Sequence, residues 1–141
     1  MNKALKPFFL LLIAVVLVIG FSMLNRESTA AERVPWRSDF NAAQDEASKA
    51  GKPLFLYFTA EWCGPCQSMK HTTWADADVE KALSSFVPVK IDIDAHPELA
   101  SKYPSNGIPH FVIAKSDGEV LRDQVGAMPP RDFLDWLNAK L

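Results

Sequence analysis

Leu54-Phe-Leu-Tyr-Phe-Thr-Ala-Glu-Trp-Cys-Gly-Pro-Cys-Gln-Ser-Met69 contains the only two cysteines of the 141-residue chain, Cys63 and Cys66. Its first six residues form a short apolar run, rich in aromatics, that follows the breaker pair Lys52-Pro53. The run is too compact for a helix and reads as a buried strand ending at Thr59. Pro65 suits a first helical turn, where a missing N–H costs nothing. Cys63 is therefore expected at the junction of a strand and a helix N-terminus.

The junction has chemical consequences. Unpaired N–H groups and the positive end of the helix dipole favour a thiolate, and a Cys-X-X-Cys site lowers the attacking thiol's pKa from about 8.5 to roughly 3.5–7.5. Cys63 is expected to be the exposed attacking thiolate. Cys66, one turn on, is expected to be shielded until a mixed disulfide forms on Cys63 and then to resolve it. A purely structural bridge would close too short a loop to stabilise much, about 2 kcal/mol before strain. Structural zinc needs four ligands, and beside the two cysteines the chain has only His71, His96 and His110. A copper site built from both thiolates and one histidine is the competing reading, since soft sulfur with imidazole suits that metal.

Outward from this stretch, residues Phe8 to Leu24 carry no charge and follow Lys3 and Lys6. They read as a signal peptide or signal-anchor, with residues 1–30 set apart from a domain at 31–141. The length of the run favours an uncleaved anchor, whereas Ser28-Thr29-Ala30 and Thr29-Ala30-Ala31 offer small residues at cleavage spacing. Lysines before the run and a long domain after it put that domain outside the cytoplasm. The expected location is the inner membrane, single-pass with the domain facing the periplasm, or the soluble periplasm after cleavage. Removing residues 1–30 takes Lys3, Lys6, Arg26 and Glu27 from totals of 15 basic and 17 acidic side chains, leaving a formal charge of −4. Nothing in that balance points to nucleic acid.

Glu27 to Arg37 reads as a polar tether, with Val34-Pro35-Trp36 as a short edge strand or a clamp onto the domain. Ser38 is the expected cap of a first helix that Gly51 and Pro53 close. After the cysteines, Gln67 to Trp74 is expected to continue the helix, with Met69 and Trp74 in the core, and Asp76 to cap the next one. Phe86 to Ile93 alternates apolar and polar residues as a strand does. Pro97 opens a short helix over His96 to Tyr103. Gly107-Ile108-Pro109-His110 runs into another strand, Asp117-Gly118 turns a hairpin to Glu119–Val125, and Pro130 to Leu141 forms a last helix with Phe133, Trp136, Leu137 and Leu141 inward. The order predicts an α/β domain whose mixed sheet is flanked by helices on both faces.

Over about residues 38–141 the chain resembles the thioredoxin superfamily. Ala60-Glu61-Trp62-Cys63-Gly64-Pro65-Cys66 is similar to that family's active-site sequence, and Gly107-Ile108-Pro109 to its cis-proline loop. The resemblance implies a thioredoxin-like fold and a protein-disulfide oxidoreductase working by dithiol–disulfide exchange, with Cys63 and Cys66 catalytic. It also implies a cis Ile108-Pro109 bond and protein substrates held along Trp62, Gly64, Pro65, Ile108 and Pro109. No dissociable cofactor and no metal are expected, because the electrons reside on the cysteine pair. Gly64-Pro65 resembles the reducing members, which implies a reductase supplied by a membrane electron-donor protein.

The chain also departs from the thioredoxin pattern. The buried acid of thioredoxins is replaced by Tyr57, so proton transfer to Cys66 needs another group or water. Glu61, Lys90 and His110 are candidates for tuning the site, although Lys90 also reads as a strand-end charge and His110 as a metal ligand or a solvent-facing side chain. The run from His71 to Val79 is more similar to the periplasmic thioredoxin-like domains of membrane thiol:disulfide interchange proteins.

Overall fold

The computed structural model describes residues 31–140 and, before them, residues 13, 15 and 16. The expected anchor of residues 8–24 (those three apart), the start of the tether up to Ala30, and Leu141 lie outside the described residues. Among the described residues, no helix is long and apolar enough to cross a membrane.

The elements run α1 (Phe40–Ala50), β1 (Leu54–Thr59), α2 (Gly64–His71), a 3-10 turn (Thr73–Ala75), α3 (Ala77–Leu83), β2 (Val87–Asp92), α4 (Pro97–Lys102), β3 (His110–Ala114), β4 (Val120–Val125) and α5 (Pro130–Asn138). The four strands form one mixed sheet in the order β2-β1-β3-β4. β1 runs parallel to β2 and antiparallel to β3, which pairs antiparallel with β4. All six residues of β1 are buried, as its unbroken apolar run requires.

Alternation along the strands divides the core in two. Phe40, Ala43 and Ala47 of α1 pack with Leu54, Leu56, Phe58, Val89 and Val112 on one face. On the other face Phe55, Tyr57 and Phe111 meet Met69, Trp74, Leu83, Phe133 and Leu137, together with both cysteines. Phe55 anchors this second layer, its ring centroid lying 5.5–6.5 Å from those of Trp36, Trp74, Phe86, Phe111, Phe133 and Trp136.

Several boundaries differ from those read in the sequence, each for a local reason. Asp39, not Ser38, caps α1 through an Oδ1 bond from the Ala42 N–H. Gly51 closes the helix in the left-handed region at φ 64°, where glycine has no Cβ to clash. The helix after the cysteines stops at His71 instead of running to Trp74. Thr72 Oγ1 bonds the Ser68 carbonyl and Thr73 Oγ1 the distant Met128 carbonyl, and the chain breaks into the 3-10 turn.

The strand expected over Phe86 to Ile93 is shorter, and Pro88 on its polar register is buried with its neighbours. Pro88 fits there because its missing N–H would point away from β1, as the Lys90 N–H does. Glu119 lies outside β4. The last helix ends at Asn138, and Arg122 donates to the Trp136 carbonyl in its last turn and to the Ala139 and Lys140 carbonyls beyond its end. Trp136 is half-buried, whereas Phe133 and Leu137 are fully inside.

Residues 32–37 form a docked strap, not a free tether. Val34 is buried, Arg33 N–H donates to the Trp74 carbonyl, and Arg37 makes a single parallel bridge to Val89. The clamp reading of Val34-Pro35-Trp36 therefore holds, with the edge-strand reading reduced to that one bridge.

Phe55→Ala removes the ring on which six others converge, and it is expected to lower stability by roughly 3–5 kcal/mol. Urea unfolding should show a lower midpoint at an unchanged slope.

Candidate active site

The end of β1 delivers a turn in which Cys63 N–H donates to the Ala60 carbonyl at 3.2 Å, and Gln67 Nε2 ties the same carbonyl at 3.3 Å. Cys63 follows as the N-cap of α2, extended at φ −79° and ψ 99°, with Pro65 in the first turn. Its Sγ accepts the Cys66 N–H at 3.2 Å, so a sulfur occupies the position a capping oxygen usually takes. The two cysteines are joined in a disulfide with their Cα atoms 5.2 Å apart.

In this oxidised state both cysteines are buried, Cys63 at 3 % and Cys66 at 2 % exposure. The expected exposure of Cys63 is not seen: bonded inward to Cys66, it packs into the aromatic layer, and the exposed surface belongs to its neighbours. Trp62 is 67 % exposed, its indole N–H donating to Asp94 Oδ2 at 2.7 Å. Gly64 and Pro65 are exposed as well.

The Ile108-Pro109 bond is cis. Antiparallel pairing puts His110 opposite Phe58, so Pro109 lies at the same end of the sheet as the disulfide. Ile108 and Trp62 share a groove of about 420 Å³. The structure thus brings Trp62, Cys63, Gly64, Pro65, Cys66, Ile108 and Pro109 to one end of the sheet.

His110 lines that groove beside Trp62 and Ile108 but is not part of the layer that holds the cysteines. It is 2 % exposed, which excludes the solvent-facing reading. Its ring stacks on Phe58 with centroids 5.4 Å apart, on the α1 face of the sheet and away from the layer that holds the cysteines. Its Nε2 meets Asp123 Oδ2 at 3.2 Å. The histidine envisaged as a third copper ligand therefore sits across the sheet from both sulfurs. Among the described residues, no cluster of three or more His, Cys, Asp or Glu side chains could hold a metal ion.

Behind Cys66 lies a cavity of about 250 Å³. Tyr57 forms part of its wall, and its hydroxyl donates a long 3.4 Å bond to the Cys66 carbonyl. Burial pushes the phenol's pKa above its usual value. Lys90 and Glu61 also line this cavity. Lys90 is half-buried, with its ammonium 3.1 Å from each carboxylate oxygen of Glu32, so it is more than a strand-end charge. Glu32 also accepts the Trp36 indole N–H at 2.7 Å. Sequence reasoning missed Glu32, because nothing local marks a tether residue as the partner of a strand 58 residues on. Asp92 was missed too, although its place two residues after Lys90 on one strand puts both on the same face.

A family model described as a thioredoxin-like domain matches residues 40–141. The chain belongs to the thioredoxin superfamily. It is 37% identical over 99 residues to a thioredoxin of Rhodospirillum rubrum, covering 70% of this chain and 91% of that relative. The solution structure of a thioredoxin from Thermus thermophilus matches with a TM-score of 0.65 at 28% identity, covering 74% of this chain and 85% of that one. The C-terminal domain of DsbD from Neisseria meningitidis, in its oxidised form, matches with a TM-score of 0.59 at 28% identity, covering 72% of this chain and 95% of that one. With its Cys63–Cys66 disulfide, this thioredoxin-like protein is a dithiol–disulfide oxidoreductase.

Because the Tyr57 hydroxyl reaches Cys66 through a long bond to its carbonyl, Tyr57→Phe is expected to leave the rate of disulfide exchange within several-fold. Turnover of a model disulfide by the two proteins measures this, and a loss of about 100-fold would show that the hydroxyl carries protons.

Proposed function

We propose that this protein reduces disulfides of protein substrates outside the cytoplasm, with Cys63 as the attacking thiolate and Cys66 as the resolving thiol. The observation that carries the reading is the Cys63 sulfur at the N-terminus of α2, held by the Cys66 N–H at 3.2 Å. After reduction the same N–H and the helix end favour the anion there. The thiolate attacks a substrate disulfide and a mixed disulfide forms on Cys63. Cys66, one helical turn away, then displaces the reduced substrate.

Trp62, Gly64 and Pro65 form the exposed rim on which an extended substrate segment lies, with the Ile108-Pro109 backbone as its pairing edge. Glu61 and Lys90 set the charge around Cys66. The likeness to the DsbD domain and the charge-free run of residues 8–24 support an extracytoplasmic setting, with the run as a membrane anchor or a cleaved signal. Gly64-Pro65 supports the reducing direction, with electrons supplied by a membrane protein. Equilibration of the Cys63/Cys66 pair against glutathione tests that direction, since the potential separates a reductant from an oxidant.

Cys66→Ser is expected to accumulate mixed disulfides with cellular proteins, while Cys63→Ser accumulates none, as read on non-reducing gels. Equal trapping by both variants would overturn the assigned roles. Tight stoichiometric Cu(I) on the reduced protein, without insulin reduction, would favour a copper chaperone instead.

A further inference from the structure

Cys66 must lose its proton before it attacks, yet it is 2 % exposed, and burial opposes ionisation of a thiol. Its proton therefore leaves through the cavity behind it, whose wall carries five charged residues, Arg37, Glu61, Lys70, Lys90 and Asp92. Three are cations with no lone pair to offer. Arg37 is engaged by both carboxylate oxygens of Glu46 at 2.9 and 2.7 Å, and Lys90 is engaged by Glu32. Tyr57, its phenol pKa raised by burial, is protonated at neutral pH and is no base for a thiol proton.

Two carboxylates remain. Glu61 stands exposed at the rim. Asp92 is half-buried and forms no ion pair among the described residues. Its Oδ1 accepts the Asp94 N–H at 2.9 Å, and its other oxygen has no partner among the described residues. Lys90, two residues before it on the same face of β2, is turned to Glu32 and leaves Asp92 unneutralised.

The same wall includes Trp74, which is fully buried and whose Nε1–H meets no hydrogen-bond partner among the described residues. A buried donor of this kind is ordinarily met by water, and the cavity has room and polar partners for several water molecules.

We propose that Asp92 is the proton acceptor for Cys66, acting through water in this cavity while Cys66 resolves the mixed disulfide. This rests on the reading of Cys66 as the resolving thiol. The Cys66 proton passes through water to the Asp92 carboxylate. The resulting thiolate forms the Cys63–Cys66 bond as the bond from Cys63 to the substrate sulfur breaks. The departing substrate thiolate takes a proton from solvent, Asp92 returns its own, and two electrons have moved from the cysteine pair to the substrate.

Reaction of the reduced full-length protein with dithiobis(nitrobenzoate) separates the steps. One coloured thiolate is released when Cys63 attacks and a second when Cys66 displaces the adduct. Asp92→Asn keeps the Oδ1 that accepts the Asp94 N–H. It is expected to leave the first phase within a few-fold and to slow the second on the order of 100-fold. In the variant the second phase should rise more steeply with hydroxide than in the parent protein, because solvent must then take the Cys66 proton.

A purely electrostatic Asp92 predicts the opposite sign, because removing its charge eases ionisation of Cys66. A second phase that is unchanged or faster in Asp92→Asn overturns the proposal, as does comparable slowing by Glu61→Gln in its place. Absence of any second phase in the unsubstituted protein would instead refute the role of Cys66 itself.

Discussion

Cys63 closes the first turn of α2 through its sulfur, 3.2 Å from the Cys66 N–H, and most of the architecture serves to hold it there. A helix N-terminus presents several donors without partners, and a polarisable sulfur placed among them is stabilised as it gains negative charge. That stabilisation needs a fixed geometry. β1 supplies it as a strand buried on both faces, paired with β2 on one side and β3 on the other, so the turn after Thr59 has little freedom. Pro65 in the first turn stiffens the start of the helix at no hydrogen-bonding cost.

The aromatic layer beneath the disulfide is the second half of this support. Phe55, Tyr57, Trp74, Phe111 and Phe133 interlock at centroid distances of 4.9–6.2 Å, with several pairs edge to face. Such packing adds about 0.5–1.5 kcal/mol per pair beyond the area buried. It also excludes water from most of the space below the cysteines. The cavity behind Cys66 is therefore a defined polar opening in an otherwise apolar layer, and the few charged groups on its wall control the thiol's surroundings.

The docked strap before α1 contributes to that wall from outside the region matched by the family model. Trp36 and Arg37 line the cavity, and Glu32 fixes Lys90 with two hydrogen bonds. The segment that joins the domain to the charge-free N-terminal run thus contributes to the charge balance near Cys66. Where thioredoxins carry an acid, this chain has a neutral tyrosine, and its carboxylates reach the cavity wall from β2 and from the turn after β1.

Much of this was legible in the sequence because it is local. The apolar run of β1, the Pro65 that permits a helix start, the cap at Asp76 and the glycine at position 51 each follow from backbone constraints that act within a few residues. They fix a strand, a turn and a helix around Cys63, and the connections between elements imply the parallel β1–β2 pair and the β3–β4 hairpin, but not the β1–β3 pairing that joins them. Non-local pairing was not legible. Thr73 leaves the helical path for a carbonyl 55 residues away, Glu32 finds Lys90 across 58, and His110 faces away from the cysteines because strand alternation puts it on the α1 side. Each of these contacts depends on which face of the sheet a residue occupies and what packs against it. Only the assembled tertiary structure decides that, since the energies involved come from burial and pairing between segments and leave no mark on the residues beside them in the chain.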